Sequence, residues 1–278
     1  MRFGGGGRSS NLEDRRGLGG RAGMGIGGTA VLLILSLLFG RNLFNDAGVS
    51  PTAVSTSNGG LSAADSTAEE PEVQVVSGVL DDVQQTWASV LPKYGTQYSD
   101  AKLVLFRDYT PTGCGTGQTA MGPFYCPVDQ KVYLDLGFFD ELRTKFGAAG
   151  DFAQGYVIAH ELGHHVQKLL GTEAQVHQAE QRDPQNANQY SVRLELQADC
   201  YAGVWGHSAQ QRGKLDPGDM QEGLAAAASV GDDRILSQAG RSVNSESFTH
   251  GSSAQRESWF KRGFDSGDPA QCDTFAGR

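Results

Sequence analysis

An α+β fold dominated by helices, preceded by one transmembrane helix, is what the 278-residue sequence predicts. Three observations carry this expectation. An uncharged apolar run, MGIGGTAVLLILSLLF, occupies residues 24–39. Two short β-like runs, at 124–126 and 131–136, precede a segment of helical periodicity from about Asp151 to Leu170. Helical patterning then fills the second half, over 191–203, over the alanine-rich stretch 218–230, and where Trp259, Phe260 and Phe264 recur at helical spacing. The expected architecture is a small antiparallel sheet with a long helix beneath it and a helical second half.

Taken in order, residues 1–22 are arginine-rich: Arg2, Arg8, Arg15, Arg16 and Arg21 stand against only Glu13 and Asp14. The apolar run then predicts a membrane-spanning helix over 23–40, slightly short of the usual ~20 residues but without the polar face of a surface helix. No Lys or Arg lies between Arg41 and Lys93, so the charge bias places the N-terminus in the cytoplasm. The expectation is a single-pass protein of the cell membrane with its main domain outside the cytoplasm. GRNLFNDAGVS follows the run without a small-x-small cleavage site, which favours a retained anchor over a cleaved signal. Residues 41–75, polar with acids at Glu69, Glu70 and Glu72, read as a flexible linker, and 76–278 as the folded domain.

A net charge of −9 with no basic stripe in the folded part excludes a nucleic-acid-wrapping protein. The four cysteines include no C-x-x-C pair. In an oxidising compartment Cys114 with Cys126 would close a short loop, and Cys200 with Cys272 would tie the C-terminal tail to the core. Buried free thiols are the other outcome.

The central motif is H-E-x-x-H at His160, Glu161 and His164, inside the 151–170 helix. Residues four apart share a helix face, so two imidazoles can grip one ion while Glu161, about 100° round, leans over a bound water. A lone motif of this kind also occurs in unrelated helices. A second helical segment strengthens it, because Glu195 and Asp199 are again four apart. Leu194, Leu196, Ala198 and Cys200 flank them, and unpaired carboxylates in such an apolar segment would be costly. Glu195 fits the third ligand place of an open zinc site, and Asp199 could accept the N–H of a ligating imidazole, that of His160.

The H-E-L-G-H and E-x-x-x-D motifs together resemble the gluzincin metallopeptidases, whose third ligand is a Glu on a later helix. GPFYCPVDQKVYLDLGFF at 122–139, AHELGHHVQ, LELQADCYAGVW, FTHGSSAQRESWFKRGFDSGD at 248–268 and NLEDRR at 11–16 resemble the bacterial family titled putative neutral zinc metallopeptidase. The resemblance implies a zincin-like domain holding one zinc ion through His160, His164 and Glu195. It implies a membrane-anchored endopeptidase in which Glu161 activates the zinc-bound water against a peptide or protein substrate. Zincins bind substrate as an extended strand along a sheet edge, for which the runs at 124–126 and 131–136 are the candidates. An oxyanion-stabilising residue is expected as well, from His250, Tyr201, His165 or Arg256, and His250 in its glycine-containing loop is favoured. The alternatives are an inactive zincin-fold binding module and an envelope protein with a structural zinc. Retention of Glu161 argues against the first, and the second needs a fourth protein ligand.

Overall fold

The structure of the protein, a computed structural model, describes residues 1–18, 63–145, 147–148 and 150–276. The expected membrane-spanning segment 23–40 lies outside the described residues, as does most of the expected linker. Among the described residues no helix is long and apolar enough to cross a membrane.

Helices dominate, as expected, and a four-stranded sheet packs against them. Its strands are β1 (Leu12–Asp14), β2 (Lys102–Phe106), β5 (Phe124–Cys126) and β6 (Lys131–Asp135), in the order β1-β2-β6-β5. β1 and β6 both run parallel to β2, and only β5 is antiparallel to its neighbour β6. The sheet is therefore mixed rather than the antiparallel sheet expected. Its faces explain the near-continuous apolar runs KLVLF and KVYLD: Leu103, Leu105, Val132 and Leu134 enter the main core, while Val104, Phe106 and Tyr133 build a second cluster with Cys126. A separate antiparallel ribbon, β3 (Tyr109–Thr112) with β4 (Gly115–Gln118), turns through Cys114, which is disulfide-bonded to Cys126 at the end of β5.

Two boundaries differ from those expected. Residues 63–75 are not linker: α1 covers Ala63–Ala68 and α2 covers Glu70–Val90. The acidic patch is the start of α2, where Glu70 and Glu72 complement the helix dipole and a proline sits in the first turn. Buried Val73, Val76, Leu80, Val83 and Trp87, spaced by threes and fours, give this helix its core face. Nor are residues 1–18 a free tail. β1 pairs in register with β2, Leu12 opposite Leu103, and Phe3 is buried 5.9 Å from the Trp205 ring. Gly78, inside α2, makes room for this segment, since a Cβ there would lie 2.1 Å from the Phe3 carbonyl oxygen.

After α3 (Gly137–Thr144), the long helix α4 (Asp151–Leu170) runs under the sheet and touches β5 and β6. It ends at Gly171, whose positive φ of 76° turns the chain into α5 (Thr172–Arg182). α6 (Ala187–Gln211) crosses α4 and carries the E-x-x-x-D pair. α7 (Asp219–Ser229), α8 (Asp232–Gln238) and α9 (Ser253–Ser266) complete the helical half. α9 opens with a capping box between Ser252 and Gln255 and packs backbone-to-backbone on α6 through Gly203 and Gly263. A Cβ at Gly263 would stand 1.9 Å from the Cys200 carbonyl, so this crossing admits glycine alone. The chain beyond α9 is tied back by the second disulfide, Cys200–Cys272, both cysteines fully buried.

Candidate metal centre and active site

α4 presents His160 and His164 on one face, and α6 brings Glu195 opposite them. His160 Nε2 lies 3.2 Å from Glu195 Oε2, and His164 Nε2 lies 3.5 Å from Glu195 Oε1. The three residues offer ligand atoms within 4.8 Å of one another. Two ligands of a tetrahedral zinc ion at about 2.0–2.1 Å should be about 3.4 Å apart, so the three donors already stand at the spacing such an ion requires.

The far nitrogen of each imidazole is fixed, by a different kind of partner. His160 Nδ1 donates to Asp199 Oδ1 at 2.9 Å, the contact expected from the one-turn spacing of Glu195 and Asp199. His164 Nδ1 donates to the side-chain oxygen of Gln167 at 2.9 Å. Gln167 in turn donates to the Leu194 carbonyl and to the Gln197 oxygen, and Gln197 donates to the Cys272 carbonyl. Both histidines are thereby held in the tautomer that leaves Nε2 free for a metal. Gln167 is a residue that sequence reasoning missed. Its signal was its position three residues beyond His164, on the same helix face.

Asp199 is wholly buried and accepts from four donors: Tyr156 Oη at 2.5 Å, His160 Nδ1, and Arg256 Nε and Nη2 at 2.8 and 2.9 Å. Burial pushes its pKa up, but Arg256 and His160 more than reverse this and hold it below the ordinary value. Burial likewise opposes ionisation of Glu195, and His164, His160 and His250 keep its pKa well below that of a free glutamate. Burial disfavours the His160 cation, yet Asp199 and Glu195 raise its pKa to about 10. The carboxylates of Glu195 and Asp199 thus face one permanent cation, Arg256. The raised His160 supplies the second positive charge, and a divalent metal held where His160, His164 and Glu195 converge would take the place of its Nε2 proton.

These side chains floor a cleft of about 670 Å³, with Glu161 beside them. Tyr125 and Phe124 of β5 line it, together with Leu194, Ile235 and His250. β5 is an edge strand, whereas β6, the other expected candidate, is interior. The tie between strand and helix is His165, the residue after the motif. Its Nε2 donates to the Ser99 carbonyl at 2.7 Å, so its Nδ1 accepts the Tyr125 hydroxyl at 2.9 Å. Burial lowers its pKa and keeps it neutral for this role.

Among the four oxyanion candidates, His165 is spent on β5, Tyr201 is buried against the Trp87 ring, and Arg256 is engaged by Asp199. His250 remains, about half exposed at the cleft wall, its Nδ1 3.2 Å from Asp232 Oδ1. Asp232 also accepts the backbone N–H groups of Thr249, His250 and Gly251, which shapes the loop. Asp232 stands in the first turn of α8, and its role at His250 depends on a loop 18 residues away. Burial works against a His250 cation, but Asp232 and the field of Glu195 raise its pKa.

A second group with metal-like spacing, Asp151, Asp219 and Glu222, surrounds the amino group of Met1, which lies 2.6 Å from Asp151. Both disulfides pair as the cysteine positions suggested.

The profile of the family titled "Putative neutral zinc metallopeptidase" matches residues 1–275. The uncharacterized Escherichia coli protein YpfJ is 50% identical over 287 residues, spanning 99% of each chain. The uncharacterized Mycobacterium tuberculosis protein Rv2575 is 46% identical over 205 residues, covering 70% of this chain and 67% of its own. No solved structure matches the chain.

Proposed function

Because the chain belongs to the neutral zinc metallopeptidase family, we propose that it is a zinc-dependent endopeptidase with a zincin-like domain of the gluzincin type. The observation that carries this proposal is the convergence of His160 Nε2, His164 Nε2 and the Glu195 carboxylate at ion spacing in an open cleft, with Glu161 alongside. A zinc ion held there would supply a Lewis acid and lower the pKa of a water molecule next to Glu161. Asp199 and Gln167 keep the two imidazoles aligned. Glu161 accepts the proton of the attacking water and returns it to the leaving amine. A peptide adds to the open edge of β5 as an extended strand, which lays its backbone across the cleft floor. His250, oriented by Asp232, donates a hydrogen bond to the carbonyl oxygen as it gains negative charge.

The apolar run 24–39 supports attachment to the cell membrane, and two buried or partly buried disulfides support a domain outside the cytoplasm. Peptide or protein is the substrate class, and the three candidate ligands that converge among the described residues, short of the closed fourfold set of a structural zinc, support a catalytic over a structural site.

The test is cleavage of a peptide library by the zinc-loaded full chain beside its Glu161→Gln variant, read by mass spectrometry. The expected outcome is cleavage by the wild type and none by Glu161→Gln at equal zinc content. Identical cleavage by both would sink the proposal, as would full activity without zinc.

A further inference from the structure

We infer that Glu173 binds a cationic side chain of the substrate, so that the cleft prefers peptides carrying a lysine or arginine at one position. The inference deepens the peptidase proposal and rests on its reading of the cleft as a peptide site.

Gly171 turns the chain from α4 into α5, and two residues later Glu173 lines the same cleft as His160 and His164. Val157, His160 and His164 follow one another along a single stripe of α4, and Glu173 lies just past the turn that closes this helix.

Four glutamates line the cleft: Glu141, Glu161, Glu173 and Glu195. Three of them have a place. Glu195 faces the two histidines, Glu161 stands beside them, and Glu141 pairs with Lys145 at 2.8 Å. Glu173 is different. Its side chain is only 14% exposed, and its Oε2 is buried without a hydrogen-bond partner among the described residues. His177 Nε2 lies 3.6 Å from the other oxygen, longer than a hydrogen bond, and His177 Nδ1 stands closer, at 3.1 Å, to Glu180.

An acid in the first turn of a helix is favoured by the dipole alone. That role does not account for the buried oxygen, which accepts none of the free N–H groups at the start of α5. Nor does the cleft hold a cation to answer it. Among the described residues Arg256 is the only lysine or arginine on its lining, and Asp199 engages it through Nε and Nη2. A carboxylate oxygen buried without a donor is costly, so a donor arriving with the substrate is bound with advantage.

β5 brings substrate within reach. Burial contributes most to the raised pKa of Tyr125, and the field of the Glu173 carboxylate raises it further, which sets this acid near the strand to which a peptide adds. An extended peptide sends alternate side chains to one face. A lysine or arginine on the Glu173 side can set its charged head against the carboxylate in a charge-assisted hydrogen bond.

The experiment uses the zinc-loaded full chain with Glu161→Gln to prevent turnover, and reads the fluorescence anisotropy of labelled peptides. The probes are neutral octapeptides with both ends blocked. One set carries a single lysine at each position in turn, and matched sets carry norleucine or glutamate there. The expected result is a position at which lysine binds at least about tenfold tighter than norleucine, the scale of a partly desolvated charge pair. Adding Glu173→Gln should remove this preference, and adding Glu173→Lys should turn it toward glutamate. Equal binding of the lysine and norleucine sets overturns the inference. So does the absence of binding by any set, or a lysine preference that survives Glu173→Gln. A lysine preference that depends on Glu173, found together with no cleavage of the preferred peptide by the wild type, overturns the peptidase reading and leaves the subsite standing.

Discussion

Replacing Arg256 by methionine strikes the support of the candidate metal site while leaving all three ligand residues in the sequence. Arg256 is 3% exposed and Asp199 is fully buried. Methionine fills much of the same space but removes both guanidinium hydrogen bonds, leaving the carboxylate with Tyr156 and His160 alone. Taking one partner from a buried ion pair costs about 3–5 kcal/mol. Against a total stability of about 5–15 kcal/mol, the loss should move the urea midpoint of the zinc-saturated full chain far down. Arg256→Lys keeps the charge but not the planar fork, and should fall between. The double variant Arg256→Met with Asp199→Asn removes the charge that the arginine neutralised. It should be more stable than the sum of the single losses by about 1–3 kcal/mol. An Arg256→Met chain within about 1 kcal/mol of wild type, or losses that simply add, would refute the account of a buried pair.

Gln167→Leu should weaken zinc binding by about 10–100-fold in chelator competition, because His164 Nδ1 loses its acceptor; unchanged affinity would remove Gln167 from the metal site. His250→Ala should lower kcat by about 10²–10³ with little change in KM, and an effect confined to KM would contradict the assigned role. Asp232→Asn should bring the raised His250 pKa of the metal-free chain down toward the ordinary ~6.5, read by NMR titration. The sign follows from the raised folded value: stability contributed by the His250–Asp232 pair is present below the unfolded pKa and lost as pH rises through the folded one. The Cys200–Cys272 disulfide, with a separation of 72 residues, should contribute about 4 kcal/mol, and Cys114–Cys126, with 12, about 3 kcal/mol. Loss of stability in Cys200→Ala smaller than in Cys114→Ala would contradict that order.

Local patterns in the sequence carried much of the site. His160, Glu161 and His164 are placed by spacing on one helix, and Glu195 with Asp199 by spacing on another, so helical periodicity sufficed to name both halves of the candidate metal centre. Contacts between distant segments were less legible. Arg256 reaches Asp199 across 57 residues, and Asp232 reaches His250 across 18, with no local pattern to announce either. The largest departure is residues 1–18. Three residues of strand leave almost no periodic signal, and arginines that are paired in the fold look identical in sequence to arginines flanking a membrane span. The start of α2 was hidden because acids favoured at a helix N-terminus are also the residues of solvated linkers.

The two margins of the main sheet are unlike. β1 closes one of them with three residues, Leu12, Glu13 and Asp14, whose acids are bound by Arg8, Arg15, Arg16 and Lys131. Short, charged and ion-paired, this margin repels an incoming strand. β5 forms the other, aromatic and stapled by a disulfide above the histidines. An extended chain meeting the main sheet therefore finds one open margin, and under the proposed function it is the one beside the candidate metal centre. If the chain is the peptidase proposed, the segment at the very start of the polypeptide bears on selectivity from the far side of the sheet, by closing the margin at which a bound strand would be unproductive.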